Sequence, residues 1–200
     1  MFYIGLDLGQ RRDHSAVVVV ERIDWKRAFQ GTAFDKLLVR FVERMPLGMP
    51  YPKVVERVRA IVSSVHLRGT CALVADATGV GAPVIDMLRA ARLGCELNAV
   101  VITGGERAAG NGAVPKRDLM AEVQILLENR QLKIGALKEG SRLMRELADM
   151  RMSISGTGRI RMGAEGSGEH DDLVIALALA CWRAKGRQHV GEVAQRLTGI

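Results

Sequence analysis

The chain opens with an apolar run, Phe2-Tyr3-Ile4-Gly5-Leu6, that ends in Asp7 and a glycine turn. That pattern predicts a buried strand carrying a carboxylate to the edge of a sheet. The next run, Ser15 to Arg22, holds four consecutive valines, Val17 to Val20, whose β-branching stiffens χ1 and suits a pleated surface. The short connection between the two runs fits an antiparallel hairpin. After a polar turn from Asp24 to Lys36, Leu37 to Val42 predicts a third strand. Pro46, Gly48, Pro50 and Pro52 then break the pattern and set up a crossover. Val54, Val55, Val58, Ile61, Val62 and Val65 recur at helical spacing, with Lys53, Glu56, Arg57 and Arg59 opposite them and His66 as the polar helix end.

Cys71 to Ala75 is wholly apolar, as expected of a central strand covered on both faces, and it runs into Asp76. Thr78 to Pro83 turns into a second helix striped by Val84, Ile85 and Leu88, with Pro83 in its first turn and Gly94 closing it. Leu97 to Ile102 predicts a fifth strand, and the aperiodic, glycine-rich stretch from Thr103 to Gly112 a surface loop. Pro115 to Asp118 starts a helix with Leu119, Met120, Val123, Leu126 and Leu127 as its stripe. Gln131 to Ile134 reads as a short edge strand, and Leu143, Met144, Leu147 and Met150 mark a further helix whose methionines serve as packing groups. Met152 to Ser155 and Arg159 to Met162 alternate around Gly156-Thr157-Gly158, the pattern of a hairpin. A second glycine-rich loop, Gly163 to Gly168, leads to Asp171-Asp172 and an apolar run ending at Trp182, a buried helix with its acidic first turn toward the site. Residues 1–185 read as one domain and 186–200 as a polar tail, with no internal repeat or linker.

Composition changes this picture little. At 48% hydrophobic and 26% charged, the 200 residues are those of an ordinary globular protein. Charge changes it more: 29 Lys+Arg against 22 Asp+Glu leave +7, which points to an anionic partner, nucleic acid first. Cys71, Cys95 and Cys181 are odd in number, far apart in sequence and set in apolar runs, as buried reduced thiols are, and they match no zinc spacing. No signal peptide opens the chain, and its longest apolar stretch, Leu173 to Trp182, is too short to span a bilayer, so a cytoplasmic protein away from membranes is expected.

The candidate chemistry lies in the carboxylates. Asp7 and Asp76 both end strands, and Asp171-Asp172 open a buried helix. If the first and fourth strands are neighbours, Asp7 and Asp76 share one sheet edge, and a helix across that edge brings its first turn to the same place. Clustered carboxylates cannot all stay ionised without cations, and hard divalent ions such as Mg²⁺ or Mn²⁺ prefer carboxylate oxygens. Two such ions about 4 Å apart serve an in-line phosphoryl displacement, one activating a water and the other stabilising the departing oxygen. No Ser, Cys or His nucleophile is required. Taken singly, a strand-end Asp is also a turn former, and Asp171 or Asp172 a helix cap.

Three runs carry a resemblance: Gly5-Leu6-Asp7-Leu8-Gly9 with Asp13-His14-Ser15-Ala16, Asp76-Ala77-Thr78-Gly79-Val80-Gly81-Ala82-Pro83-Val84, and His170-Asp171-Asp172-Leu173-Val174-Ile175-Ala176-Leu177-Ala178. Together, from Phe2 to about Lys185, they resemble the nuclease domain of phage terminase large subunits. The resemblance implies an α/β, ribonuclease H-like mixed five-stranded sheet of order 3-2-1-4-5, strand 2 antiparallel, flanked by helices, with an added β-hairpin before the C-terminal helix. It implies a DNA endonuclease that cuts concatemeric viral DNA during packaging in the host cytoplasm, with two Mg²⁺ or Mn²⁺ ions. Asp7, Asp76 and Asp172 would then be catalytic and metal-binding, Asp171 the alternative ligand beside Asp172, and Asp13 an auxiliary carboxylate. Arg107, Lys116, Arg117, Arg159 and Arg161 would hold double-stranded DNA. A packaging ATPase motor, a small terminase subunit and a portal would be the family's partners, although this chain has no G-x-x-x-x-G-K-[ST] motor sequence.

Other readings fit parts of the pattern. An actin- or sugar-kinase-type nucleotide-binding domain shares the Asp and glycine turns, but needs two such domains and gives Asp171-Asp172 no role. A Holliday-junction resolvase shares the carboxylates and differs in substrate. A non-catalytic DNA-binding module predicts binding indifferent to divalent metal.

Overall fold

The computed structural model describes residues 1–9, 13–23, 36–64, 66–79, 81–104, 112–154, 160–164 and 171–186. Three strands come first: β1 (Phe2–Asp7), β2 (Ala16–Ile23) and β3 (Lys36–Arg44). Then α1 (Tyr51–Val62) leads to β4 (Cys71–Asp76), and α2 (Gly81–Ala90) to β5 (Glu96–Thr103). The second half holds β6 (Ala113–Pro115), α3 (Lys116–Glu128), β7 (Leu132–Ile134) and α4 (Gly140–Asp149). A hairpin of β8 (Met150–Ile154) and β9 (Ile160–Ala164) precedes α5 (Asp172–Ala184).

The main sheet runs β6-β5-β4-β1-β2-β3-β7. Its centre is the predicted 3-2-1-4-5 order, and only β2 is antiparallel to its neighbours. Two three-residue edge strands extend five strands to seven. The edge strand at Gln131 to Ile134 is seen as β7; β6 escaped prediction because three residues beside a glycine-rich loop carry no period.

Alternation within the central strands feeds two cores. Tyr3, Val18, Val20, Ala72 and Val74 face α3, α4 and α5, whereas Ile4, Leu6, Val17, Val19, Leu73 and Ala75 face α1 and α2. With both faces covered, these strands read as continuous apolar runs. The most enclosed helix is α5, buried at every position from Asp172 to Cys181. It packs directly on β1, and Gly5 makes the approach possible: a Cβ there would lie 1.8 Å from the Ala176 carbonyl oxygen.

Several expectations need correction. The first helix ends at Val62, so His66 lies in the following turn. Met144 faces solvent, 51% exposed, because the buried side of α4 is Gly140, Leu143 and Glu146. Cys95 is only half-buried, and although distant in sequence from Cys71 it is its neighbour across β4 and β5. Residues 105–111, 155–159, 165–170 and 187–200, which include most of the two glycine-rich loops, the hairpin turn and nearly all of the tail, lie outside the described residues. No helix among the described residues is long and apolar enough to cross a membrane.

The Gly5 contact generates a test. Gly5→Ala drives a methyl into the α5 backbone and should cost about 3 kcal/mol or more, the upper range for overpacking. Thermal melts should show a Tm lower by roughly 6–12 °C for a chain of this size; an unchanged Tm would mean that α5 does not sit so close to β1.

Candidate metal centre

The strand order reverses between β1 and β4, which leave the sheet centre in parallel. Chain connections diverge at such a point and open a crevice at the strands' carboxyl ends. Leu6 pairs with Ala75, so the next residues, Asp7 and Asp76, sit side by side at that end. The first turn of α5 arrives beside them with Asp171 as its N-cap and Asp172 as its first helical residue. The carboxyl of Asp7 is raised well above the ordinary range, first by burial and then by the charges of Asp76, Asp172 and Asp171, while Lys116 opposes the shift. The other three carboxylates therefore all act on Asp7.

Asp76, Asp171 and Asp172 also turn to partners of their own. Asp76 accepts a 2.7 Å hydrogen bond at Oδ1 from the Thr78 backbone N–H. Burial raises its carboxyl despite the hydrogen bonds from Thr78 and Ile102 and the charge of Lys116. Thr78 is fixed in turn, its hydroxyl accepting a 2.7 Å bond from the Ile102 N–H on β5. Asp171 pairs with Lys116, at the start of α3, at 2.6 Å. Asp172, 5% exposed, lies 3.4 Å from Nη2 of Arg44 at the end of β3.

The same guanidinium bonds Glu146 of α4 through Nη2, and Glu146 Oε2 accepts the Leu173 N–H at 3.0 Å. Asp171 makes no side-chain capping bond, so the α5 N-terminus is capped from another helix by Glu146. Burial pushes the Glu146 carboxyl up to about 7, with Asp172 adding to the shift and Arg44 and the Leu173 N–H opposing it. Neither Arg44 nor Glu146 stood out in the sequence: one looked like a strand-end charge and the other like the polar face of a helix. A buried Glu within the stripe of α4 was the available signal.

The structure thus gathers Asp7, Asp76, Asp171 and Asp172, with Lys116 among them. Arg117 lies next to Lys116, beside Asp118. Asp13 is exposed and lines a cleft of about 190 Å³ with Gly9, Ser15, Pro46, Met49 and Tyr51. Arg107, Arg159 and the side chain of Arg161 lie outside the described residues. Among the described residues, no three Asp, Glu, His or Cys side chains are already drawn into a metal-holding group. Mutual repulsion favours that arrangement, since Asp76, Asp171 and Asp172 each lie toward a donor of their own. The donor set is all oxygen, and Asp7 carries an uncompensated burden of like charge, so the residues fit a hard divalent ion.

No protein-family model and no curated protein sequence matches the chain. Solved structures do. The large terminase nuclease from thermophilic phage G20c with bound magnesium superposes with a TM-score of 0.66 and 25% identity, over 92% of this chain and 81% of that one. The Thermus phage P74-26 large terminase nuclease domain gives 0.65 and 23%, over 94% and 82%. The large terminase nuclease domain from bacteriophage SPP1 with bound Mn gives 0.56 and 13%, over 91% and 85%.

The electrostatics give a signed prediction. A carboxyl whose folded pKa is raised holds more protons folded than unfolded, so its contribution to stability falls as pH rises from the ordinary carboxylate range through the raised value. Metal-free protein should therefore gain stability as pH falls from 7 toward 5. Asp7→Asn should raise the metal-free Tm at pH 7 by ~2–4 °C, the equivalent of about 1 kcal/mol, and should flatten that pH dependence. Melts in EDTA across this pH range check it; a lower Tm in the variant refutes the mutual-repulsion account.

Proposed function

We propose that this chain, whose fold is the ribonuclease H-like fold of phage large-terminase nuclease domains, is a divalent-metal-dependent DNA endonuclease of the kind that cuts viral DNA during packaging. The observation that carries the reading is the convergence of Asp7, Asp76 and the start of α5 at the β1/β4 crevice, with the Asp7 carboxyl held in a field of like charge. Residues 1–185 form the nuclease domain in this reading, and 186–200 its tail.

Asp7, Asp76 and Asp172 would hold two Mg²⁺ or Mn²⁺ ions, with Asp171 able to join them on leaving Lys116 and Asp13 auxiliary. What such ions supply when bound is a water acidic enough to attack at neutral pH and positive charge at both oxygens of an in-line displacement. The chain's part is placement. Adjacent strand ends set the spacing of Asp7 and Asp76, the Thr78 turn orients Asp76, and the packing of α5 on β1 fixes the distance of Asp172. Lys116 stands at the rim, where a phosphate can replace Asp171 as its partner. Arg117, Arg107, Arg159 and Arg161 would extend a basic track along double-stranded DNA. Phosphate contacts carry no base information, so cutting would show little sequence preference. A packaging ATPase motor, a small terminase subunit and a portal would be its partners in the host cytoplasm.

Plasmid nicking and linearisation in EDTA, Mg²⁺ and Mn²⁺ test the reading. Wild type should cut only with metal, and Asp76→Asn should lose at least ~100-fold, since even the outer-shell partners of metal ligands cost 10–100-fold. Asp7→Asn should still bind DNA, as it removes a negative charge near phosphates. Full-rate cutting by either variant, or DNA binding alone under every metal, would sink the catalytic assignment. Lys116→Ala should weaken DNA binding and lower the salt slope by about 1, the signature of one lost phosphate contact; an unchanged slope would leave Lys116 with Asp171 only.

A further inference from the structure

Arg44 stands between two carboxylates and engages them unequally. Its Nη2 is hydrogen-bonded to Glu146, whereas Asp172 lies 3.4 Å away, beyond the 2.7–2.9 Å of a charge-assisted bond. All three side chains are about nine-tenths buried, so water screens none of these charges well. Glu146 also grips the backbone of α5, where its second oxygen takes the Leu173 N–H one residue beyond Asp172. A single side chain from α4 therefore fixes both the guanidinium next to Asp172 and the helix turn that carries Asp172.

We propose that Glu146 is a positioning residue for the metal centre: it keeps Arg44 engaged on itself and so limits the competition of Arg44 with a divalent cation for Asp172. This rests on the metal-centre reading of the site. A buried guanidinium left with one carboxylate closes on that carboxylate, because an uncompensated buried charge is costly. Without the charge of Glu146, Arg44 would move onto Asp172 and compete there with the incoming metal. The defect would come from Arg44 itself, and it would disappear when Arg44 is removed as well. A role confined to capping α5 makes the opposite forecast, since removing Arg44 cannot repair a lost cap.

The test is calorimetric titration of the whole chain with Mn²⁺ alone, together with thermal melts, for wild type, Glu146→Gln, Arg44→Gln and the double variant. Gln at 146 keeps an oxygen for the Leu173 N–H and loses only the charge. Glu146→Gln should bind Mn²⁺ at least ~10-fold more weakly, the lower range for outer-shell partners of metal ligands. Arg44→Gln and the double variant should bind Mn²⁺ no more weakly than wild type, since both lack the competing guanidinium. Cleavage by Glu146→Gln should recover as Mn²⁺ is raised, since the loss lies in affinity and not in kcat. Unchanged affinity in Glu146→Gln, or a double variant as weak as the single, overturns the proposal. Should Glu146→Gln fail to fold, a 10-fold loss in Arg44→Gln overturns it on its own. Wild type that binds no Mn²⁺ overturns the metal-centre reading and this proposal together, whereas wild-type binding with an indifferent Glu146→Gln overturns the proposal alone.

Discussion

Burying like charges at the end of β1 is the constraint on which the rest of this structure depends. Asp7 is desolvated and subject to the charge of three other carboxylates, an arrangement that opposes folding unless a proton or a cation offsets it. Around it, groups that offset negative charge are in use: the Thr78 N–H toward Asp76, Lys116 toward Asp171, and Arg44 toward Asp172 and Glu146. These partners come from the β4–α2 turn, the start of α3 and the end of β3. The centre is thus held by elements far apart in sequence, which is why the surrounding scaffold has to be rigid.

The scaffold supplies that rigidity by removing side chains where backbones must meet. Gly5 lets α5 lie against β1 at a distance that no Cβ would permit, and α5 carries Asp172 into the crevice. Proline at the N-caps of α1 and α3, Pro50 and Pro115, sets the entry of each helix without a side-chain capping bond. At α5 the cap comes from Glu146 on a separate helix, so the N-terminus of the helix that bears the acidic pair depends on tertiary structure.

This division explains what could be read from the chain and what could not. Strands β1 to β5 and helices α1, α2, α3 and α5 announce themselves because each has a strong period or an apolar run bounded by Gly, Pro or Asp. Asp7 and Asp76 could be placed at one sheet edge because parallel neighbours in a sheet bring equivalent strand ends together. Arg44 and Glu146 were invisible for the opposite reason: their pairing spans 102 residues, and nothing local marks a charged residue as buried. Met144 misled because its spacing from Leu147 matches a stripe, whereas α4 turns Glu146 inward to serve α5. The proximity of Cys71 and Cys95 was equally hidden, since it follows from β4 and β5 lying in parallel register.

The placement of Lys116 joins the electrostatics to the proposed chemistry. Its bond to Asp171 is made at the rim, where both side chains keep roughly a quarter of their exposure. An ion pair at such a site contributes about 1 kcal/mol or less, so exchanging one anion for another there is inexpensive. A phosphate can therefore take Lys116, and the Asp171 released by that exchange adds its charge to the crevice. Substrate arrival would then raise the negative charge at the metal centre at the moment when cations are needed. The deeper pair, Arg44 with Glu146, is about nine-tenths buried and has no such freedom. The fold thus sets an exchangeable cation at the rim of the crevice and a fixed one behind Asp172, and the acidic pair at the start of α5 lies between them.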